Sequence, residues 1–169
     1  MTARTVGCVL VFAAAVWWGI SRTVPLRERP RVLLALADAL SLLQSDTCTR
    51  LLPLPEALLH AAEMTSGPAK RFFSRLWERT MREDLTFAAL WQEEAAALPA
   101  VRQEDLTPLL ALGAQLGRYD AETQARALDQ CIQTLRQNAQ EAKQQAAVNA
   151  RLYTGLGLTC GLLLAVTFY

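Results

Sequence analysis

The stretch Asp120–Arg151, DAETQARALDQCIQTLRQNAQEAKQQAAVNAR, decides the fold class of this chain. Ala121, Ala125, Leu128, Ile132, Leu135, Ala139, Ala142, Ala146, Asn149 and, beyond it, Tyr153 recur at alternating spacings of four and three. That spacing is a heptad seam on one face of an α-helix. Asp120 is a capping residue type at its head, and no glycine or proline interrupts the pattern before Gly155. One helix of about 48 Å is expected from Asp120 to Arg151, at 1.5 Å per residue. The large seam residues suit packing on a domain. The alanines and Asn149 suit a close neighbour helix or a weakly packed stalk. Such a seam serves an intramolecular hairpin or an intermolecular coiled coil.

Upstream, helical spacing continues and strand alternation is missing. Pro30 can open a helix on which Leu33, Leu36, Leu40 and Leu43 form a buried stripe. Leu51–Pro55 breaks it, and Pro55 restarts the chain as a first-turn proline. The second helix, to about Met64, should bury Leu58, Leu59 and Ala62. Ser66-Gly67-Pro68 is a turn. A third helix carries Phe72, Phe73, Leu76, Trp77 and Met81 on its apolar side. Asp84-Leu85-Thr86 ends it, and Thr86 can cap a fourth helix with Phe87, Leu90, Trp91 and Leu98. Thr107-Pro108 reads as a cap and first-turn proline of a fifth helix, stopped at Gly117. The class is all-α, an antiparallel helical bundle.

The two ends differ in kind. Thr5–Ile20 and Leu152–Tyr169 contain no charged residue, whereas all 16 acidic residues lie between Glu28 and Glu141. Residues 1–24 and 152–169 are therefore expected to be transmembrane anchors around a helical domain at 25–151. Trp17, Trp18, Tyr153 and Tyr169 sit where aromatic rings favour the membrane interface. A cleaved signal peptide is the competing reading of the first segment, but bulky Trp17 and Trp18 occupy the place of a cleavage site. Gly157 with Gly161, and Ala15 with Gly19, place small residues four apart for close helix packing. Arg22, Arg27, Arg29, Arg31, Lys143 and Arg151 crowd the inner flanks, so the domain should face the cytosol. Between Arg27 and Arg151, 15 basic against 16 acidic residues leave −1. No basic cluster marks a nucleic-acid partner.

Chemistry is sparse. His60 is the single histidine, read as a core or surface residue, and the four cysteines show no metal-ligand or redox spacing. Phosphate and dinucleotide loops are missing, and no cofactor is expected. The acidic pairs Glu83-Asp84, Glu93-Glu94 and Glu104-Asp105 read as solvated or cap-related.

Several short elements, in order, carry a resemblance. They are Glu28-Arg29-Pro30-Arg31, Pro53-Leu54-x-Glu56-Ala57, Thr86 with Trp91, Leu116-Gly117-x-x-Asp120-x-x-x-Gln124, and Leu135 with Ala142. With both apolar ends, the chain resembles the stage III sporulation protein AB family of endospore-forming bacteria. The resemblance implies a place in the outer forespore membrane, with the domain in the mother-cell cytosol. It implies a domain similar to the F-type platform domain of type II secretion and type IV pilus systems. The implied role is non-enzymatic: linking a cytosolic ATPase to the other channel proteins of stage III sporulation. A homo-oligomer is a further possibility. Glu28, Arg29, Arg31, Gly117, Asp120 and Gln124 are then candidate partner contacts, with Asp120 also a helix cap and Gly117 also a backbone necessity. The alternative is a membrane-tethered enzyme or sensor with an unrecognised ligand.

Residues 25–150 expressed alone should fold as a helical domain. Circular dichroism should show helix, and a spectrum dominated by strand or disorder would contradict the periodicity.

Overall fold

The computed structural model describes residues 28–116 and 121–168, with side chains described for 28–116 and 122–148. All regular structure among them is helical. Helix α1 covers residues 28–44 and passes into a five-residue π-helical turn, Ser45–Thr49. Four helices follow: α2 Leu54–Met64, α3 Gly67–Arg82, α4 Phe87–Ala96 and α5 Gln103–Gln115. Helix α6 is continuous from Ala121 to Phe168. The residues fall into two units, 29–140 and, apart from it, Glu28 with 141–168.

In the unit 29–140 the apolar stripes meet in one core. Leu33, Leu36, Leu40 and Leu43 of α1 are fully buried, as are Leu128 and Leu135 of α6. Ile132 and Ala139 complete the α6 seam. Each buried leucine or isoleucine contributes about 1.5–3 kcal/mol. Polar contacts give α1 and α6 opposite directions: Arg29 shares Asp105 with Asn138, while Gln44 at the far end of α1 donates to the Ala125 carbonyl. Helices α2 to α5 pack in sequence, α2 on α3, α3 on α4 and α4 on α5.

The centre of α3, α4 and α5 is aromatic. Phe72 meets Phe73 and Trp91 edge-on, with centroids 5.0 and 5.1 Å apart. These T-shaped geometries place positive ring edges on negative faces. Trp91 is fully buried and its indole N–H donates to the Leu109 carbonyl at 2.7 Å. Gly113 makes this reach possible. A Cβ there would lie 2.2 Å from Trp91 Cδ1. The glycine answers to the indole, since it sits in a helix where alanine is normally preferred.

Several expectations need correction. Helix α5 starts at Gln103, so Thr107 is no cap and Pro108 lies inside the helix. The Asp105 carboxylate at the third helical position accepts the Arg102 backbone N–H, which makes that residue the start signal. Inside the helix, Pro108 forgoes the bond its own N–H would have made, and its ring crowds the Glu104 carbonyl. Glu28 is already helical, so Pro30 does not begin α1. Thr86 is the N-cap of α4 but makes no side-chain capping bond, and Leu98 falls beyond the end of α4. Leu59 is only half-buried, its place taken by Ala57 and Ala61, and Met81 is 57% exposed at the last turn of α3. Leu51 at φ 56° takes the left-handed region between the π-turn and Pro53, where it is exposed.

Among residues with described side chains, no helix is long and apolar enough to cross a membrane. The expected first anchor, with Ala15 and Gly19, lies outside the described residues. So do the side-chain surroundings of the second, with Gly157 and Gly161, although the α6 backbone is helical there.

Gly113→Ala tests the close approach by its sign. On an open helix face the change would stabilise by about 1 kcal/mol. Here it should destabilise by about 2 kcal/mol, as overpacking does, lowering the urea midpoint. A raised midpoint would contradict the Trp91 packing.

Candidate functional site

The start of α5 must satisfy its own N–H groups, and Asp105 is placed to do so. It is fully buried, and a buried carboxylate needs several donors. It receives them from three directions. Arg29 on α1 forms a two-pronged bond, Nε to Oδ2 at 2.9 Å and Nη2 to Oδ1 at 3.0 Å. Asn138 on α6 donates to Oδ1 at 2.8 Å, and the Arg102 N–H donates to Oδ2 at 3.0 Å. Arg29 Nη2 also reaches Glu104 at 2.5 Å. Arg29 is 8% exposed, while the Glu104 side chain is 60% exposed and lies 3.6 Å from Arg102.

Burial pushes the Asp105 carboxyl up, but the bonds from Arg29, Arg102 and Asn138 outweigh it and hold the group below the usual carboxylate value. For Arg29, the bond to Asp105 is the largest influence, and the guanidinium is raised despite desolvation.

The candidate contacts are thus divided. Arg29 is engaged inside the unit. Glu28 and Arg31 are exposed. Gln124 is half-buried on α6 and is bonded. It precedes Asn138 by 14 residues, about 21 Å along the helix, so Arg29 and Gln124 occupy different ends of the α1–α6 pair. Gly117 and Asp120 lie outside the described residues; α6 starts at Ala121, directly after Asp120.

Two clusters escaped the sequence reading. In the π-turn, Asp46 is 1% exposed and bonds His60 Nδ1 at 2.6 Å and Arg50 Nη1 at 3.2 Å. The pair closes the π-turn onto α2 and fixes the imidazole. Only the i,i+4 spacing of Asp46 and Arg50 hinted at it. On α3, Arg79 binds Glu83, Glu93 and Glu94. The Glu83 carboxyl is held low by its bond to Arg79, and Arg79 itself is raised. Glu94 is 9% exposed, which corrects the expectation of a solvated pair at 93–94.

Arg71, Arg75, Phe72, Glu94 and Leu98 border a shallow groove of about 240 Å³. Among the described residues no group of three His, Cys, Asp or Glu can hold a metal, and no buried side-chain polar atom lacks a partner. The Cys131 thiol is pushed up to about 12 by burial, so it stays protonated and inert.

Three comparisons bear on the chain. Residues 4–169 match the family model described as Stage III sporulation protein AB. The chain is similar to the stage III sporulation protein AB of Bacillus subtilis (strain 168), 23% identical over 164 residues, covering 95% of this chain and 96% of that protein. It is also similar to a solved structure of a stage III sporulation protein AB. There the TM-score is 0.63 at 21% identity, over 70% of this chain and 95% of that one, which speaks to the fold alone.

Removing one partner of a buried pair costs about 3–5 kcal/mol. Arg29→Leu and Asp105→Asn should each lower stability by that order, while Arg29→Met with Asp105→Leu should lose less than either alone. Because the Asp105 carboxyl is held low, its contribution is complete above the unfolded value of 3.8 and is lost as pH falls below that, through the folded value. Urea midpoints of the wild type should therefore drop in acid more steeply than those of Asp105→Asn.

Proposed function

The chain belongs to the stage III sporulation protein AB family, and from that premise we propose that it is a membrane-anchored, non-enzymatic platform of the stage III sporulation channel. Its helical domain serves as a docking body in the mother-cell cytosol. It links a cytosolic ATPase to membrane and intermembrane components, in the manner of the F-type platform domains of secretion systems. The two uncharged ends hold it in the outer forespore membrane. The observation that carries this reading is a family match that runs from residue 4 to 169 and so takes in both apolar ends with the domain between them.

The interior supports the same reading. The buried charged residues Arg29, Asp46, Glu94 and Asp105 are all bonded within the chain, so they act in holding helices together. Docking then falls to exposed side chains, among which Glu28 and Arg31 flank the buried Arg29. Glu104 and Arg102, both more than half exposed, stand at the start of α5 beside the same ion pair.

Two measurements on membranes from sporulating cells test the proposal. Alkaline carbonate should leave the full-length chain in the pellet; its release would remove the anchors. Affinity capture of the full-length chain should recover an ATPase together with ring-forming partners. Recovery of neither, from a preparation in which the chain stays membrane-bound, would overturn the platform role. Glu28→Lys with Arg31→Glu should weaken that recovery while leaving the urea midpoint within about 0.5 kcal/mol of wild type, as exposed substitutions do.

A further inference from the structure

Helix α3 carries Arg71, Arg75, Arg79 and Arg82 at spacings of four, four and three, so the four lie along one helix face. Their partners are unequal. Helix α4 returns along α3 after the short link 83–86, and near its end it delivers Glu93 and Glu94 to Arg79, at 2.7 and 3.1 Å. Arg75, one turn nearer the start of α3, has only Glu94, at 3.8 Å. Arg71, a further turn on, is exposed and has no ion-pair partner among the described residues.

The cause is a difference in length. Helix α3 has 16 residues and α4 has 10. At 1.5 Å per residue the shortfall is about 9 Å, so α4 stops before it reaches the first turns of α3. From Ala95 to Gln103 the chain then carries no acidic residue. The step left there is the shallow groove of about 240 Å³. Arg71 and Arg75 line it from α3, Leu98 and Pro99 line it from the chain after α4, and Phe72 lies between them.

What the rest of this helix face binds is visible at Arg79: carboxylates from a neighbouring segment. The groove continues that row of cations past the last carboxylate the chain supplies, and adds an apolar surface. Glu94, at the Arg75 end, is already engaged by Arg79, so Arg75 is free to make a closer bond. Arg71 and Arg75 are about 6 Å apart along the helix. Alternate side chains of an extended strand project to one side about 6.6 Å apart. Arginine pairs with carboxylate through two parallel bonds when geometry permits. We propose that this groove docks an extended acidic segment of another protein. Two carboxylate side chains, one residue apart, pair with Arg71 and Arg75, and the apolar residue between them faces Leu98 and Pro99. The groove adds a second surface to the docking role proposed above.

A fluorescent heptapeptide tests this. It has glutamates at its third and fifth positions, leucine between them and serine elsewhere. Anisotropy is read as the full-length chain, held in phosphatidylcholine nanodiscs, is titrated in. Binding should saturate. Arg71→Gln with Arg75→Gln should weaken it about tenfold, the worth of two exposed ion pairs, with an unchanged urea midpoint. Arg31→Gln with Arg82→Gln removes the same charge from exposed positions outside the groove and should leave binding unchanged. Leu98→Ser, or serine in place of the peptide leucine, should weaken it about threefold.

An absence of binding, equal binding of a peptide with lysine in place of glutamate, or equal loss in the two double variants would overturn the proposal. So would indifference to Leu98 and to the peptide leucine. Capture of phosphatidylglycerol vesicles through Arg71 and Arg75, with the peptide left unbound, would assign the cations to a lipid surface and overturn it as well. The peptide assay contains no sporulation protein, so it judges the groove separately from the affinity capture that judges the platform role.

Discussion

A carboxylate with no exposure to water is the constraint around which the helical unit is arranged. Asp105 is 0% exposed, and an isolated charge in that position would be strongly unfavourable. Its donors come from α1 through Arg29, from α6 through Asn138, and from the backbone at the start of α5 through Arg102. Each donor fixes the distance and rotation of its helix relative to the carboxylate. Apolar stripes alone allow helices to slide or rotate by small amounts at low cost, and a four-donor site does not. Such a site is weak evidence for net stability, because desolvation offsets much of the attraction. Its physical consequence is register: which turn of α1 and of α6 faces the start of α5.

The second fixed point is of a different kind. Trp91 enters α5 at Gly113, and its N–H closes on the Leu109 carbonyl. Shape holds α4 to α5 there, as charge holds α1 and α6 to the other end of α5. Helix α5 is thus located at both ends, by Asp105 and by Gly113. The buried polar groups are consumed in this work, so the docking role proposed above would fall to exposed side chains.

Much of this was legible in the sequence, and the exceptions share one cause. The stripes Leu33–Leu43 and Leu128–Ala139 stood out because helix periodicity is local. The uninterrupted run after Asp120 foretold one unbroken helix, and α6 runs from Ala121 beyond Arg151 to Phe168. Arg29 and Asp105 are 76 residues apart, so Arg29 read as one of several flanking arginines and Asp105 as half of an acidic pair. His60 read as isolated because Asp46 approaches it across the Leu51–Pro53 break. Thr107-Pro108 imitated a helix start. The real signal was Asp105 three residues after Arg102, which a capping rule looking for serine or threonine passes over. Among the candidate contacts, nothing local to residues 28–31 separates the buried Arg29 from the exposed Glu28 and Arg31.

Native-state hydrogen exchange in Asp105→Asn tests the organising role of the carboxylate most directly. If Asp105 sets the register of three helices, protection should fall together in residues 28–44, in α5 and in residues 128–139 of α6. The α2–α3 pair should keep more of its protection. A loss confined to the first turn of α5 would contradict this, reducing Asp105 to a helix cap with a neighbouring arginine.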